Sequence, residues 1–199
     1  MGKTILAIGA HFDDIEIGVG GTLLKHRDFD DKIYLAITHS DEDKSGDVRD
    51  RIIEEFRSLD IININPSNLK LFYIRDKHTD IVWNLDQLNP DIIYTMYGND
   101  SHYAHVEASK IGQAVGRKMY SQVILYNSGS SIDFTPNVFS IIDFDKKQEL
   151  LNCFQSQIQR GSVNMDFIKR RESYWASLIT DKPDTYAEGF VVRKMLYNI

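Results

Sequence analysis

The fold is decided by residues 4–18, which read Thr4-Ile5-Leu6-Ala7-Ile8-Gly9-Ala10-His11-Phe12-Asp13-Asp14-Ile15-Glu16-Ile17-Gly18. The first seven residues form a continuous apolar, β-favouring run, which is typical of a strand buried on both faces of a parallel sheet. The polar residues that follow end this strand, and the glycine-containing stretch behind them opens a helix. The stretch therefore predicts the first half of a β-α-β unit.

The same alternation continues along most of the chain. Further strands are predicted at 32–38, around 69–74 and at 91–96, irregular strands within 123–142, and a last strand at 190–196. Helices are predicted at 47–59, 81–88, 106–120 and 146–159; the first of these has Val48, Ile52, Phe56 and Leu59 on one face. We predict a Rossmann-like three-layer α/β sandwich with a mainly parallel sheet, in one domain spanning residues 1–199.

Composition and charge exclude several classes of protein. The formal net charge of −6 and the scattered Lys and Arg residues argue against a nucleic-acid partner. The single cysteine, Cys153, has no disulfide or metal partner in the sequence and is interpreted as a packing residue in a reducing compartment. The apolar run at 5–10 is too short for a signal peptide or a membrane span. We expect a cytoplasmic protein without a membrane span, and the composition is compatible with a homo-oligomer.

Polar clusters follow the predicted strands. One reads His11-Phe12-Asp13-Asp14, a second Thr38-His39-Ser40-Asp41, and a third spans Asn99 to His105. In open α/β sheets, ligands bind outside the carboxyl ends of the strands, so these clusters are expected at one edge of the sheet. A catalytic zinc needs three His or carboxylate ligands and an open position for water. The first and third clusters can supply that set, with Asp13 beside the metal to accept a proton from water.

Each cluster taken alone also has a simpler interpretation. Asp13 and Asp14 could cap the helix that follows them, and His102 with His105 could be a solvated pair. Three further histidines are interpreted as surface or packing residues: His26, His39 and His78. The Gly18, Gly20 and Gly21 series has half the pattern of a dinucleotide loop, but the neighbouring carboxylates would repel a pyrophosphate.

An ordered series of motifs resembles the LmbE-like, or PIG-L, deacetylase family over nearly the whole chain. The residues 10–18 with Gly20-Gly21-Thr22-Leu23 resemble its AHPDDE and GGT motifs. The other matches are Arg51-x-x-Glu54, Pro90-Asp91, Asp100-x-His102-x-x-His105, Phe134-x-Pro136-Asn137, Lys147 with Ser156-Gln157, and Tyr186-Ala187-Glu188-x-Phe190.

The resemblance implies a hydrolase that uses a divalent metal, usually zinc, although another ion such as Fe²⁺ is compatible, to remove N-acetyl groups from amino sugars. It implies that His11, Asp14 and His105 bind the metal and that Asp13 is the general base. It also implies that His102, when protonated, stabilises the oxyanion of the tetrahedral intermediate.

Two further residues match substrate-binding positions of the family through local context only, namely Arg51 and Asp76. Specificity is expected in the loops at 41–47, 76–79 and 128–137, because loops supply the pocket walls in such folds.

The sequence departs from the family at two motif positions. Phe12 replaces a proline, which leaves the ligand atoms available. Ala104 replaces the aspartate that lies beside the catalytic histidine, so the pKa of His102 is expected to fall unless Asp100 or another carboxylate takes over that role.

Two alternatives therefore stay open beside the amino-sugar deacetylase: a catalytically impaired metal- or sugar-binding homologue, and a hydrolase of a different amide. The facial triad of a non-haem iron oxygenase uses similar ligands, but it usually lies in a β-barrel, which the α/β pattern contradicts.

Overall fold

The computed structural model of the chain describes residues 2–42, 48–117 and 120–196. Its strands are β1 (Thr4–Gly9), β2 (Lys32–Ile37), β3 (Leu69–Leu71), β4 (Ile92–Met96), β5 (Gln122–Tyr126), β6 (Val138–Ile142) and β7 (Tyr186–Lys194). Its helices are α1 (Asp14–Asp28), α2 (Val48–Ile62), α3 (His78–Asp86), α4 (Tyr103–Val115), α5 (Phe144–Leu151), α6 (Gln155–Arg160) and α7 (Met165–Ser177), with a short 3-10 helix at Pro66–Asn68.

All seven of these strands belong to one sheet, in the order β3-β2-β1-β4-β5-β7-β6. The first five strands of the chain pair in parallel, while β7 pairs antiparallel with both β5 and β6. The chain builds outward from β1 to β2 and β3, then returns to place β4 on the other side of β1. A topological switch point therefore lies between β1 and β4, where ligands bind in sheets of this kind.

Alternate residues of β1 enter two different hydrophobic cores. Ile5 and Ala7 pack in the larger core, together with residues of α1, α5 and α7. Leu6 and Ile8 pack in the smaller core, together with residues of α3 and α4. Because successive strand residues point to opposite faces, the sheet has helices on both sides. The predicted α/β sandwich with a mainly parallel sheet is confirmed.

The last third of the chain differs most from the prediction. The helix predicted at 146–159 is two helices, α5 and α6, interrupted at 152–154, and α7 was not predicted at all. The predicted helix at 106–120 is α4, which ends at Val115, and residues 118–119 lie outside the described part of the chain. Periodicity did not reveal α7 because charged residues interrupt its apolar pattern, and one of them, Glu172, is buried by tertiary contacts.

The buried side of α2 is also not the one that its apolar residues indicate. Phe56 is 40% exposed, whereas Arg51, Glu55 and Ser58 are buried. This polar side faces α1 and the polar groups that follow β1, since Ser58 donates a hydrogen bond to Glu16. The interpretation of α2 from its apolar face was therefore wrong at Phe56.

The glycines of α1 allow close packing and do not form a phosphate loop. A Cβ atom at Gly18 would overlap the ring of Tyr126, and one at Gly21 would lie 2.8 Å from Ile142. The amide groups of Gly21 and Thr22 donate to the carboxylate of Glu188. The glycine series thus lets α1 approach the sheet closely.

Two further residues considered in the sequence, Cys153 and His26, have local partners in the structure. Cys153 is half-buried against the larger core, and burial raises the pKa of its thiol to about 11. His26 contacts Asp31 and Tyr94.

Within the described ranges, no helix has both the length and the apolar character needed to span a membrane.

Candidate active site

A cavity of about 620 Å³ opens at the switch point between β1 and β4. The residues that line it come from the turn after β1, the loop after β2, α2, the start of α4, the loop after β5, and the segment from α6 to α7. They are His11, Asp13, Asp14, Ile17, Glu42, Arg51, His102, His105, Ser128, Gly129, Ser130, Gln157, Arg160, Gly161, Ser162, Asn164, Phe167, Ile168 and Arg171.

The turn after β1 presents three of the predicted site residues to the cavity. Asp14 begins α1, and its Oδ2 accepts hydrogen bonds from the backbone N–H groups of Ala10 (3.1 Å) and His11 (2.7 Å). Asp13 has a φ of 99°, which is unusual for a residue with a Cβ atom. Such strain persists only where the surrounding structure holds the residue, and it concentrates at functional sites.

Asp14 lies between two of the predicted histidines. Its Oδ2 is 3.5 Å from His11 Nδ1, and its Oδ1 is 3.4 Å from His105 Nε2. Burial alone would raise the pKa of Asp14, but the charges of His105 and His11 lower the pKa below its usual value. The carboxylate is therefore ionised, as a metal ligand must be.

The rings of three histidines converge at this point. Ligand nitrogens of His11, His102 and His105 all lie within 4.8 Å of one another. His102 and His105 stack, with ring centroids 4.6 Å apart. Imidazole nitrogens with a neighbouring carboxylate form a donor set that suits zinc and other divalent first-row metals. The site can therefore hold a metal ion, and the structure brings together the three predicted ligands, His11, Asp14 and His105.

Asp100 holds His105, whereas the sequence had suggested that it would support the ring of His102. Its Oδ1 lies 3.1 Å from His105 Nδ1 and accepts the backbone N–H of His102 at 2.9 Å. His102 is exposed on one side, and partial desolvation of its ring together with the charges of His105 and His11 lowers its pKa. This direction agrees with the expectation raised by Ala104.

Asp13 and Arg51 form a buried pair behind the histidines. Burial and the charge of Asp14 raise the pKa of Asp13 to about 8, although the charge of Arg51 opposes this shift. Arg51 Nη2 is 3.8 Å from Asp13 and donates a hydrogen bond to the carbonyl of Phe12 at 2.7 Å. Arg51 thus supports the strained turn and also lines the cavity.

Asp76 is not among the residues that line the cavity. Its carboxylate accepts the backbone N–H of Tyr73 at 2.9 Å in the loop that follows β3. Its role in substrate binding stays a prediction. Residues 43–47 of the predicted specificity loop lie outside the described part of the chain.

Three groups of residues at the site were not singled out in the sequence, although two of them lie in loops predicted to carry specificity, 41–47 and 128–137. Glu42 lies 3.1 Å from His11 Nε2. The hydroxyls of Ser128, Ser130 and Ser131 donate to the carboxylate of Asp100. The wall formed by 157–171 was missed because its last helix was not predicted. The Ser-Gly-Ser-Ser sequence was a usable signal, since it fell in a loop expected to carry specificity.

Two of the histidines that the sequence assigned to surface or packing positions, His39 and His78, are linked to this region. His39 is buried, and its ring lies 6.2 Å from that of His11. Its Nε2 is 3.1 Å from Glu107, which also lies 3.5 Å from His78. His39 therefore packs behind the site, and it does not line the cavity.

Comparison with known proteins identifies relatives of this chain. No protein-family model matches it. The uncharacterized deacetylase YaiS of Escherichia coli (strain K12) is 30% identical over 157 residues, which cover 70% of this chain and 82% of YaiS.

Three solved structures share the fold. The conserved protein TT1542 of Thermus thermophilus has a TM-score of 0.81 at 20% identity, covering 100% of this chain and 98% of that protein. GalB, the 4-carboxy-2-hydroxymuconate hydratase of Pseudomonas putida KT2440, has a TM-score of 0.78 at 16% identity, covering 99% of each chain. The N,N'-diacetylchitobiose deacetylase of Pyrococcus horikoshii has a TM-score of 0.72 at 18% identity, covering 96% of this chain and 84% of the deacetylase. At these identities the likeness concerns the fold alone.

The similarity to YaiS extends over most of both chains, and the histidine and aspartate motifs of the family resemblance, at 11–14 and 102–105, lie together at one cavity. This chain belongs to the LmbE-like (PIG-L) deacetylase family.

Proposed function

We propose that this protein is a metal-dependent hydrolase that removes the N-acetyl group from an amino sugar or an amino-sugar conjugate. The observation that carries the proposal is the convergence of His11, Asp13, Asp14, His102 and His105 on one cavity from the ends of two adjacent strands. The family supports a deacetylase, and the cavity is large enough for a sugar with a substituent.

The ligands we assign are His11, Asp14 and His105. A bound zinc or another divalent ion such as Fe²⁺ would act as a Lewis acid that polarises the acetyl carbonyl and lowers the pKa of water. Asp100 orients His105 for this role, because its carboxylate lies 3.1 Å from the opposite ring nitrogen.

Asp13 is the proposed general base. Water attacks the acetyl carbon while Asp13 accepts its proton, and His102 donates a hydrogen bond to the carbonyl oxygen as negative charge develops there. Asp13 then returns the proton to the nitrogen as the C–N bond breaks, so the products are acetate and the free amine. Burial and the charge of Asp14 raise the pKa of this carboxyl, and the positive charge of a bound ion would lower that pKa and favour the ionised form that accepts a proton. Arg51 limits the cost of ionising Asp13.

Arg51 and Asp76 remain the proposed substrate contacts. Arg51 already lines the cavity, whereas Asp76 would have to act from the loop after β3. Measuring KM for Arg51→Ala and for Asp76→Ala would distinguish the contributions of the two residues to substrate binding.

The test is amine release from a panel of N-acetylglucosamine conjugates by zinc-loaded protein. Asp13→Asn should lower kcat by roughly 10²- to 10⁴-fold while zinc stays bound, because only the proton acceptor is removed. Asp181→Asn, an exposed change outside the cavity, is the matched control. Wild-type protein that binds zinc but releases no amine would contradict the proposal and favour a binding homologue. Turnover of a different amide would keep the hydrolase and change the substrate.

A further inference from the structure

The carboxylate of Glu42 contacts the ring of His11 through a different nitrogen from the one that faces Asp14. Oε2 of Glu42 lies 3.1 Å from Nε2 of His11, whereas Nδ1 of the same ring lies 3.5 Å from Oδ2 of Asp14. The side chains of His11 and Glu42 are only 11% and 28% exposed. The contact is therefore partly shielded from water, where a charge-assisted hydrogen bond is stronger than at a free surface.

His105 has the same arrangement with its two ring nitrogens exchanged. Its Nε2 lies 3.4 Å from Oδ1 of Asp14, and its Nδ1 lies 3.1 Å from Asp100. Each of the two rings thus has one nitrogen toward the shared carboxylate of Asp14 and the other against a second carboxylate. Where a histidine binds a metal, its other ring nitrogen usually donates to such a partner. For His11 that partner is Glu42.

The distances to Asp14 indicate which nitrogen of His11 is directed at the metal position. Two donor atoms bound to one tetrahedral zinc at about 2.0–2.2 Å lie roughly 3.4 Å apart. The separations of Asp14 from Nδ1 of His11, 3.5 Å, and from Nε2 of His105, 3.4 Å, both match this value. Since only one nitrogen of an imidazole can bind a given ion, Nε2 of His11 is left to carry the proton and to donate to Glu42.

The backbone around Glu42 is anchored within its own turn and to the neighbouring loop. Glu42 donates its backbone N–H to the carbonyl of His39 at 3.1 Å. Oδ1 of the preceding Asp41 accepts the backbone N–H of Ile74 at 2.9 Å, which ties this segment to the loop after β3. The carboxylate is therefore supplied from a fixed backbone position, and a partner held in advance loses less conformational entropy when it orients a ligand.

We propose that Glu42 is a positioning residue of the metal centre, which accepts a hydrogen bond from Nε2 of His11 and so directs Nδ1 at the ion. The contact fixes the tautomer of the ring and raises the basicity of Nδ1, which strengthens it as a ligand. Glu42 acts through His11 and does not bind the metal itself. The inference rests on the proposed function, because it takes His11 to be a metal ligand.

Nuclear magnetic resonance of the zinc-loaded protein tests the assignment without any substrate. Zinc is diamagnetic, so long-range proton–nitrogen correlation spectra distinguish a metal-bound ring nitrogen from a protonated one. They should show His11 bound through Nδ1 and protonated at Nε2, and His105 bound through Nε2. Zinc bound through Nε2 of His11 would overturn the role of Glu42 and leave His11 as a ligand. A ring of His11 with neither nitrogen bound would overturn the proposed ligand set as well.

Competition with a chelator measures how much Glu42 contributes to affinity. Glu42→Ala should raise the Kd for zinc by about 10- to 100-fold, as the loss of such a partner does. Glu42→Gln, whose amide oxygen still accepts from Nε2, should restore part of the affinity and keep Nε2 protonated. Glu149→Gln, the same change at an exposed glutamate outside the cavity, should leave the Kd unchanged. An unaltered Kd in Glu42→Ala, or an equal rise in Glu149→Gln, overturns the proposal.

Amine release by the zinc-loaded wild-type protein separates this proposal from the proposed function. If His11 has the expected tautomer but no N-acetylglucosamine conjugate releases amine, the deacetylase is overturned and the role of Glu42 is supported. If amine is released while zinc is bound through Nε2 of His11, the role of Glu42 is overturned and the deacetylase is supported.

Discussion

The carboxylate of Asp100 lies 3.1 Å from Nδ1 of His105, and the side chain of Asp100 is 0% exposed. Hydroxyl groups of Ser128, Ser130 and Ser131 donate to the same carboxylate. The opposite nitrogen of His105, Nε2, is thereby directed toward Asp14. This carboxylate–histidine arrangement is the one that orients metal-ligating histidines.

Removing the charge of Asp100 should weaken metal binding. Asp100→Asn is expected to raise the Kd for zinc by about 10- to 100-fold, because the ring of His105 loses its charged partner. Competition with a chelator of known affinity measures this change. Asp133 is exposed and lies in the same loop as the three serines, and Asp133→Asn should leave the Kd unchanged. An unaltered Kd in a folded Asp100→Asn protein would argue against His105 as a ligand.

Two neighbouring glutamates of α2 should respond oppositely to the same substitution. Both oxygens of Glu54 accept hydrogen bonds from Ser156, whereas both oxygens of buried Glu55 lack a partner. Glu54→Gln should lower the free energy of unfolding by about 1–3 kcal/mol, since a charged acceptor is lost. Glu55→Gln should instead raise the free energy of unfolding at pH 8. Urea unfolding of the two variants measures both effects, and a loss of stability in both would contradict the assignment.

The gain from Glu55→Gln should depend on pH. Burial raises the pKa of Glu55 well above its ordinary 4.5, and the charges of Glu16 and Asp13 add to the effect. Above pH 4.5 the native state holds a proton that the unfolded chain has lost, so this group costs stability as the pH rises, by up to about 1.4 kcal/mol per pH unit. The Gln variant has no such proton. Its advantage should be larger at pH 8 than at pH 5, and an equal advantage at both would contradict a raised pKa.

The buried amine of Lys147 should be essential for stability. It is 0% exposed and contacts Glu172 and Glu188, and it donates to the carbonyl of Ile17 at 2.9 Å. Lys147→Met would remove the buried cation that these two carboxylates share, which should lower the free energy of unfolding, measured in urea, by about 3–5 kcal/mol. The adjacent Lys146 is exposed, and Lys146→Met should change the same quantity by less than about 0.5 kcal/mol. Similar stabilities for the two variants would refute the assignment.

Two glycines of α1 provide a test of close packing. A Cβ at Gly18 would overlap the ring of Tyr126, whose hydroxyl donates to the carbonyl of Ile8 and is held there. Gly18→Ala should therefore lower the melting temperature, with a loss of about 1–3 kcal/mol from overpacking. At Gly20 the atom closest to the new Cβ would be a terminal methyl of Leu150, at 2.8 Å, which can move. Gly20→Ala should be clearly less destabilising, and the reverse order would contradict this packing.

The family motifs outside the cavity turn out to be partners of one another. Lys147 contacts Glu188, and Ser156 donates to Glu54, so pairs of motifs distant in sequence stabilise the same region. Such pairing was not readable from the chain, because each motif was matched by its own residues and no pattern states which two meet.

The sequence by itself determined the α/β class, the mainly parallel sheet and the grouping of His11, Asp14 and His105, because strand periodicity is local and parallel strand ends meet at one edge. Tertiary structure alone decided that Asp100 serves His105, that α7 and Arg171 form the far wall of the cavity, and that the polar side of α2 is buried. These features depend on contacts between segments far apart in the chain. Burial of charged residues there is set by partners on other elements, which no local periodicity records.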